Sequence, residues 1–249
     1  MSRNKAFKQH AILCEGFDDR AFWSGWLVER LACTDPTSGG MEPARDAWGR
    51  GIQGRGRHFF RTPAGAGIIV EPGRGRSQLK RLAARYLGGL ARSFDRVLIN
   101  FDSDADAESV ETDGEDFLRT IVLEHGGTEN KGRFAVGATR VDAIVWRCDD
   151  PADTCGVPNK QTLERLACAA IVEAYTRRAE PVESWLSAEP RTSVDEKNYS
   201  FSYLAKWYAD HGADDYWRAL WRDEAIAEAL EGRLEASGAL EVVRELVAD

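Results

Sequence analysis

Short apolar runs alternate with helix-forming segments along most of the chain, and this order restricts the fold more than any other feature. Each run of about five mostly apolar residues is followed by apolar positions spaced three or four apart. Because parallel strands need long crossovers, the alternation predicts an α/β fold with a mainly parallel central sheet flanked by helices. Strands are expected at 10–15, 67–71, 96–101 and 142–147, with a short one near 58–60. Helices are expected at 19–32 after an Asp18 cap, after a Ser77 cap, from about 114 to 126, and at 161–175.

Roughly the last fifty residues differ from the rest of the chain in composition and in the spacing of apolar residues. From Tyr199 to Asp249 the chain is rich in Trp, Tyr, Ala and Glu, with helical spacing and no strand pattern. We therefore expect an α/β domain at 1–186 and a C-terminal helical extension at 187–249 packed on it. An Arg- and Gly-rich stretch at about 35–66 has no sustained period and predicts a long insertion in the first domain.

Three features favour a cytoplasmic protein with no membrane segment. No apolar run reaches the length of a membrane span. The polar, basic N-terminus lacks the apolar core of a signal peptide. The five cysteines are scattered and include no CxxC pair, which argues against both a disulfide framework and a zinc ribbon.

The formal net charge of −8 conceals two segments of opposite charge. Residues 45–92 contain eleven Lys and Arg against two acids, and residues 93–130 contain eleven acids against two Arg. A metal-dependent enzyme that acts on a polyanion would show this pattern, because its acids bind cations and its basic side chains bind phosphates. Two solvated faces that neutralise each other would show it equally.

Two of the expected strands end in acids. Strand 10–15 ends at Glu15, and strand 96–101 is followed by Asp102 and Asp104. Ligands of α/β sheets bind at the carboxyl ends of strands, and in a parallel sheet these two ends share one edge. Alternate residues of an extended chain point the same way, so Asp102 and Asp104 are expected to converge on one cation. Clustered carboxylates select a hard cation such as Mg²⁺ or Mn²⁺. An Asp-rich turn that only caps the next helix is the alternative.

Spacing separates this pattern from other acidic motifs. Counted from Asp102, an EF-hand loop needs Gly at position six and Glu at position twelve, where this chain has Ala107 and Asp113. Aspartyl phosphatases of the haloacid dehalogenase type also have a strand followed by DxD, but with Thr or Val at the position of Asp106. A metal-dependent phosphatase of small molecules stays a competing interpretation.

The order of the acidic motifs resembles the TOPRIM domain of topoisomerases, primases and the nucleases of the OLD (overcoming lysogenisation defect) family. It is most similar to small stand-alone TOPRIM proteins of the OLD type. Those domains have a strand ending in Glu-Gly with a second acid four residues on, a later DxD, a Ser/Thr-x-Glu motif opening a helix, and then a lysine. The matching residues are Glu15, Asp19, Asp102, Asp104, Thr162 and Glu164, with Lys197 as the best match for the lysine and Lys206 as the second.

This resemblance implies a TOPRIM-like Rossmannoid fold and a nuclease that cleaves DNA or RNA, with a role in phage defence or repair. The implied ligands of two Mg²⁺ or Mn²⁺ ions are Glu15, Asp19, Asp102, Asp104, Thr162 and Glu164. Glu15 would alternatively act as a general base, and Lys197 would stabilise the transition state. The chain has no GxxxxGK[ST] motif, so the ATPase of full-length OLD proteins would belong to another chain. The expected partners are nucleic acid and either that ATPase or a second copy of this chain.

Basic residues in the insertion and after the second expected strand are candidates for contacts with nucleic acid. They are Arg50, Arg55, Arg57, Arg74, Arg76 and Lys80. A TOPRIM fold that binds nucleic acid or a partner protein without turnover is a further interpretation. Charge-neutral substitution of the acids distinguishes the two, because it would abolish turnover in an enzyme and leave binding intact in a binding module.

Overall fold

A computed structural model describes residues 8–34, 56–89, 94–103, 110–130, 132–148, 161–178 and 213–248, together with 180, 181 and 184. Within them, seven strands form one sheet in the order β2-β3-β1-β4-β7-β6-β5. The strands are β1 (Gln9–Cys14), β2 (His58–Arg61), β3 (Gly67–Pro72), β4 (Arg96–Phe101), β5 (Thr128–Asn130), β6 (Arg133–Val136) and β7 (Thr139–Val145). The helices are α1 (Phe17–Glu29), α2 (Arg76–Ala84), α3 (Val110–Glu124), α4 (Leu163–Ala174), α5 (Ala213–Arg222), α6 (Glu224–Ala236) and α7 (Ala239–Ala248).

The four central strands are parallel, which confirms the predicted α/β fold with a mainly parallel sheet flanked by helices. β1 pairs in parallel with β3 and β4, and β4 pairs in parallel with β7. Every residue of β4 and five of the six in β1 are buried. Strands covered on both faces have continuous apolar sequences, which explains why these two were evident from sequence. Their carboxyl ends lie at one edge of the sheet.

The outer strands are antiparallel. β2 pairs with β3, and β5 and β6 form a ribbon that extends β7. β6 and β7 are joined by a two-residue turn in which Gly137 has φ 61°, a value that favours glycine. The sequence did not predict β5 and β6, because β5 is a short polar strand exposed at every residue.

The helix starts differ from the expected ones. Helix α3 begins at Val110 and not near 114, and α4 begins at Leu163 and not at 161. Gly16, not Asp18, is the N-cap of α1, and the side chain of Asp19 accepts a hydrogen bond from the Gly16 backbone N–H at 2.8 Å. Gly75, not Ser77, is the N-cap of α2. Asp19 lies within α1 as expected, and its side chain also accepts a hydrogen bond from the residue that caps the helix.

Apolar cores lie on the two faces of the sheet. Helices α2 and α3 cover one face, and α1, α4 and the C-terminal helices cover the other. Trp217 and Trp221 of α5 pack against Phe22 of α1, and the Trp221 indole N–H donates to the Phe22 carbonyl at 2.9 Å. The described part of the C-terminal region is thus helical and packs on the α/β layer. None of the described helices is long and apolar enough to cross a membrane.

Candidate functional site

The ends of β1 and β4 meet at the carboxyl edge of the sheet and bring two of the predicted acids together. The Glu15 backbone N–H donates to the carbonyl of Asn100 at 2.9 Å. The Asp102 backbone N–H donates to Oε2 of Glu15 at 3.3 Å. Glu15 therefore accepts a hydrogen bond from the backbone of Asp102, which was predicted to lie at the same edge of the sheet.

The start of α4 adds a third segment to this edge. The N–H of Leu163 donates to Oδ1 of Asp102 at 3.3 Å, so the helix begins against that carboxylate. Thr162 is the N-cap, and its side chain accepts from the Arg165 N–H at 3.3 Å. Glu164 lies in the first turn. A carboxylate at a helix N-terminus is stabilised by the unpaired backbone N–H groups there.

Asp19 lies beneath this edge, and hydrogen bonds fix its carboxylate. Oδ2 accepts from the Gly16 backbone, and Oδ1 accepts from the indole Nε1 of Trp146. Trp146 directly follows β7 and is fully buried, so Asp19 is held by a neighbour from a distant part of the chain. The indole of Trp23 stacks on the indole of Trp146, with the two ring centroids 5.5 Å apart.

The four acids interact electrostatically. Burial, together with the negative charges of Asp19, Glu164 and Glu15, raises the pKa of Asp102 to about 9. Burial also raises the pKa of Asp19, an effect opposed by its hydrogen bond from Trp146. Such shifts arise where like charges are close and desolvated. A cation at this edge would relieve the repulsion.

The described residues do not include a ready-made metal centre. No three His, Cys, Asp or Glu side chains in the described ranges converge in a metal-binding arrangement. Asp104, one of the predicted ligands, lies outside those ranges, as do Arg50, Arg55, Lys197 and Lys206. The donor chemistry nevertheless fits Mg²⁺ or Mn²⁺, because the candidate ligands are carboxylates and their negative charges raise the pKa of Asp102.

The structure places the described basic candidates in three different settings. Arg57 forms an ion pair with Glu71 at 2.8 Å, and Lys80 forms one with Glu124 at 2.7 Å. Arg76 lies against two aromatic rings with Nη1 3.5 Å from the Ser103 carbonyl. Arg74 is exposed.

Sequence reasoning missed the polar residues that hold the site together. The buried Asn100 accepts from Trp23 Nε1 at 2.9 Å and donates to the Ile144 carbonyl at 3.1 Å. The buried Gln161 binds both backbone groups of Cys148, and its own carbonyl accepts from the Ser103 N–H. An Asn inside an otherwise apolar strand was the one available signal, since a buried amide must find partners.

Comparison with known proteins supports the fold and gives no information on the function. No model of a known protein family matches the sequence, and no curated protein matches it. Among solved structures, the chain is similar to the crystal structure of a hypothetical protein from Pyrococcus horikoshii OT3. The TM-score is 0.65 at 12% sequence identity, and the match covers 97% of this chain and 100% of that chain. At this identity the likeness shows that the two proteins share an α/β fold.

Proposed function

We propose that the protein is a divalent-metal-dependent nuclease of the TOPRIM type that cleaves phosphodiester bonds of DNA or RNA. One observation supports this most strongly. Four acids from three separate segments interact electrostatically: Glu15, Asp19, Asp102 and Glu164. Burial and the negative charges of the other three acids raise the pKa of Asp102. Acids gathered from distant segments onto one sheet edge are costly to folding and are typical of functional sites.

Glu15, Asp102 and Glu164 are the residues that would hold Mg²⁺ or Mn²⁺, together with Asp104. Ions bound there would supply charge neutralisation at phosphorus and an acidified water. Asp19 has a hydrogen bond to each carboxylate oxygen, which suits a residue that orients the start of α1 next to Glu15. Thr162 caps α4 and so fixes the first turn of the helix, which carries Glu164.

The indole of Trp146 offers a test of the role of Asp19. Trp146→Phe should lower the free energy of unfolding by about 1.5–3 kcal/mol, because a buried carboxyl loses a hydrogen bond. It should also weaken Mn²⁺ binding by about ten-fold, as is common when the support of a ligand shell is lost. Urea unfolding and calorimetric titration with Mn²⁺ measure the two effects.

Trp26→Phe is the matched control for this test. The Trp26 indole also donates to a carboxylate, Oε1 of Glu231 at 3.1 Å, and Trp26 is fully buried. It should lose stability and keep its affinity for Mn²⁺. Equal losses of Mn²⁺ affinity in both variants would show that Trp146 acts through general stability.

The cleavage assay tests the proposed function directly. We expect the protein to cut at least one of supercoiled DNA, single-stranded DNA and total RNA in Mg²⁺ or Mn²⁺, and none of them in EDTA. Glu164→Gln should abolish cutting, because it removes the negative charge and one oxygen donor of this proposed metal ligand and keeps the shape of the side chain. Glu228→Gln makes the same change at an exposed position of α6 and should cut normally.

A non-catalytic binding module is the second candidate. The lack of three converging acids among the described residues favours it. In that case nucleic acid would bind in the presence of metal and remain intact, and Glu164→Gln would bind like the parent.

We also propose a cytoplasmic location and control from outside the chain. Among the described cysteines, Cys14, Cys33, Cys148 and Cys168 are buried free thiols, as expected in a reducing compartment. Regulation by ATP would require a separate ATPase chain, since the sequence has no phosphate-binding GxxxxGK[ST] motif. A second copy of this chain is the alternative partner.

A further inference from the structure

The turn at residues 73–76, between β3 and α2, contacts the backbone beside both candidate ligands Glu15 and Asp102. The N–H groups of Arg74 and Gly75 each donate to the Glu15 carbonyl at 2.9 Å. Nη1 of Arg76 lies 3.5 Å from the carbonyl of Ser103, the residue after Asp102. The backbone of Arg74 therefore contacts the residue that follows β1, and the side chain of Arg76 contacts the segment that follows β4.

The side chain of Arg76 contacts two aromatic rings and a backbone carbonyl of the protein. Its guanidinium carbon lies 5.0 Å from the ring centroid of Phe101 and 4.6 Å from that of Phe117. A guanidinium packed on aromatic rings is held in one orientation. From there it bonds to the Ser103 carbonyl, so it fixes the segment on which Asp102 stands.

Arg74 is in a different position. Its side chain is exposed, and no carboxylate of the described residues lies within ion-pair distance of it. Three cations of the neighbouring elements are paired with acids, Arg57 and Arg85 with Glu71, and Lys80 with Glu124. The Arg74 guanidinium carbon lies 5.7 Å from the ring centroid of Phe17, the first residue of α1. The Arg74 guanidinium thus lies by the first residue of α1, two positions after Glu15, and forms no ion pair with a described acid.

The backbone of Arg74 is strained. Its φ is 80°, in the left-handed region that residues other than glycine seldom adopt. Both neighbours are glycines, and a Cβ at Gly73 would lie 2.8 Å from the Leu79 nitrogen, so the turn cannot relax easily on that side. An arginine where glycine would be more stable indicates that its side chain is needed for something other than folding.

We infer that Arg74 binds a phosphate of a nucleic acid substrate beside Glu15, and that Arg76 is a positioning residue for Asp102. The inference rests on the proposed function for the identity of the substrate. A guanidinium presents paired N–H donors that match two phosphate oxygens, and an exposed one can bind them without first breaking an ion pair.

Binding of a short single-stranded DNA oligonucleotide in EDTA tests this assignment without any cleavage. In Arg74→Gly the dependence of log affinity on log salt should become shallower by about 0.7, the value for one lost phosphate contact. Its melting temperature should rise by about 2–4 °C, because glycine adopts the positive φ freely. Arg81→Ala removes the same charge from an exposed position of α2 and should leave the melting temperature nearly unchanged, with a smaller change in slope.

The Arg76 variant separates the two roles. Arg76→Met should keep the parent salt dependence, lower the melting temperature and weaken Mn²⁺ binding by about ten-fold. A parent protein that binds no oligonucleotide in EDTA would overturn the inference, and so would an Arg74→Gly variant with the parent slope. An Arg76→Met variant with a shallower slope would reverse the assignment. A parent that binds the oligonucleotide but never cuts in metal would refute the nuclease and leave the role of Arg74 supported.

Discussion

Replacing Asp102 by Asn should abolish metal-dependent cleavage and, at the same time, stabilise the metal-free protein. We expect the loss because Asp102 is a proposed metal ligand, and burial and the charges of Asp19, Glu164 and Glu15 raise its pKa. Removing one ionic ligand from a metal site that stabilises the transition state by several kcal/mol should lower the rate about a thousand-fold or more. Asn keeps an oxygen to accept the hydrogen bond from the Leu163 N–H, so α4 can start as before.

The gain in stability has a definite dependence on pH. The pKa of Asp102 rises on folding from its ordinary value of 3.8 to about 9, so the folded protein binds a proton that the unfolded chain releases. Folding stability due to this group therefore falls as the pH rises from about 4 towards 9, and Asn has no such loss. The advantage of Asp102→Asn should be small near pH 4 and should reach about 1–3 kcal/mol at about pH 8.

Urea unfolding in EDTA across this pH range measures the effect, with Glu228→Gln as the surface control. If Asp102→Asn is less stable than the parent at every pH, the four acids do not repel one another in the way the structure indicates. If it is more stable and still cuts at the parent rate, Asp102 is not part of the catalytic site.

Replacing Trp221 by Ala should have the largest effect on stability. Trp221 is 1% exposed, packs on Phe22, and donates to the Phe22 carbonyl at 2.9 Å. Gly25 of α1 lies against it, since a Cβ there would be 2.8 Å from the indole. Removing a buried Trp of this kind costs about 3–5 kcal/mol.

The same variant tests whether the C-terminal helices are a separate domain. Because α5 shares one apolar core with α1 and the sheet, the whole protein should unfold in a single transition at a lower urea concentration. Far-ultraviolet and near-ultraviolet circular dichroism should report the same midpoint. Trp221→Phe keeps most of the packing and should lose only about 1 kcal/mol with the hydrogen bond. Two separate transitions in Trp221→Ala would mean that residues 187–249 fold as a unit of their own.

The sequence predicted the parts of the site that depend on a single element. Strands β1 and β4 were evident because burial on both faces requires a continuous apolar run, and the acids that follow them stand out against it. Helix α4 was predicted at 161–175 from its apolar spacing, whereas Thr162 and Glu164 were singled out only through the resemblance to TOPRIM domains. These local patterns placed Glu15 and Asp102 at one edge, and Glu164 was added only by the resemblance.

What the sequence could not predict were contacts between distant segments. The hydrogen bond from Trp146 to Asp19 joins residues 127 positions apart, and no local pattern records it. Asp18 and Asp19 are adjacent acids, and only the packed structure shows that Trp217 donates to one and Trp146 to the other. The pairing of Arg57 with Glu71 likewise depends on the position of β2 beside β3.

The cluster of indoles beneath the acidic edge gives the protein a built-in optical probe. The ring of Phe22 lies within 5.6 Å, centroid to centroid, of Trp23, Trp146, Trp217 and Trp221. Two of these indoles donate hydrogen bonds to Asp18 and Asp19. Indole emission is sensitive to nearby charge. A cation that binds these carboxylates would therefore alter the intrinsic fluorescence of the protein. Binding of the proposed cation can therefore be tested without a label, and without any substrate.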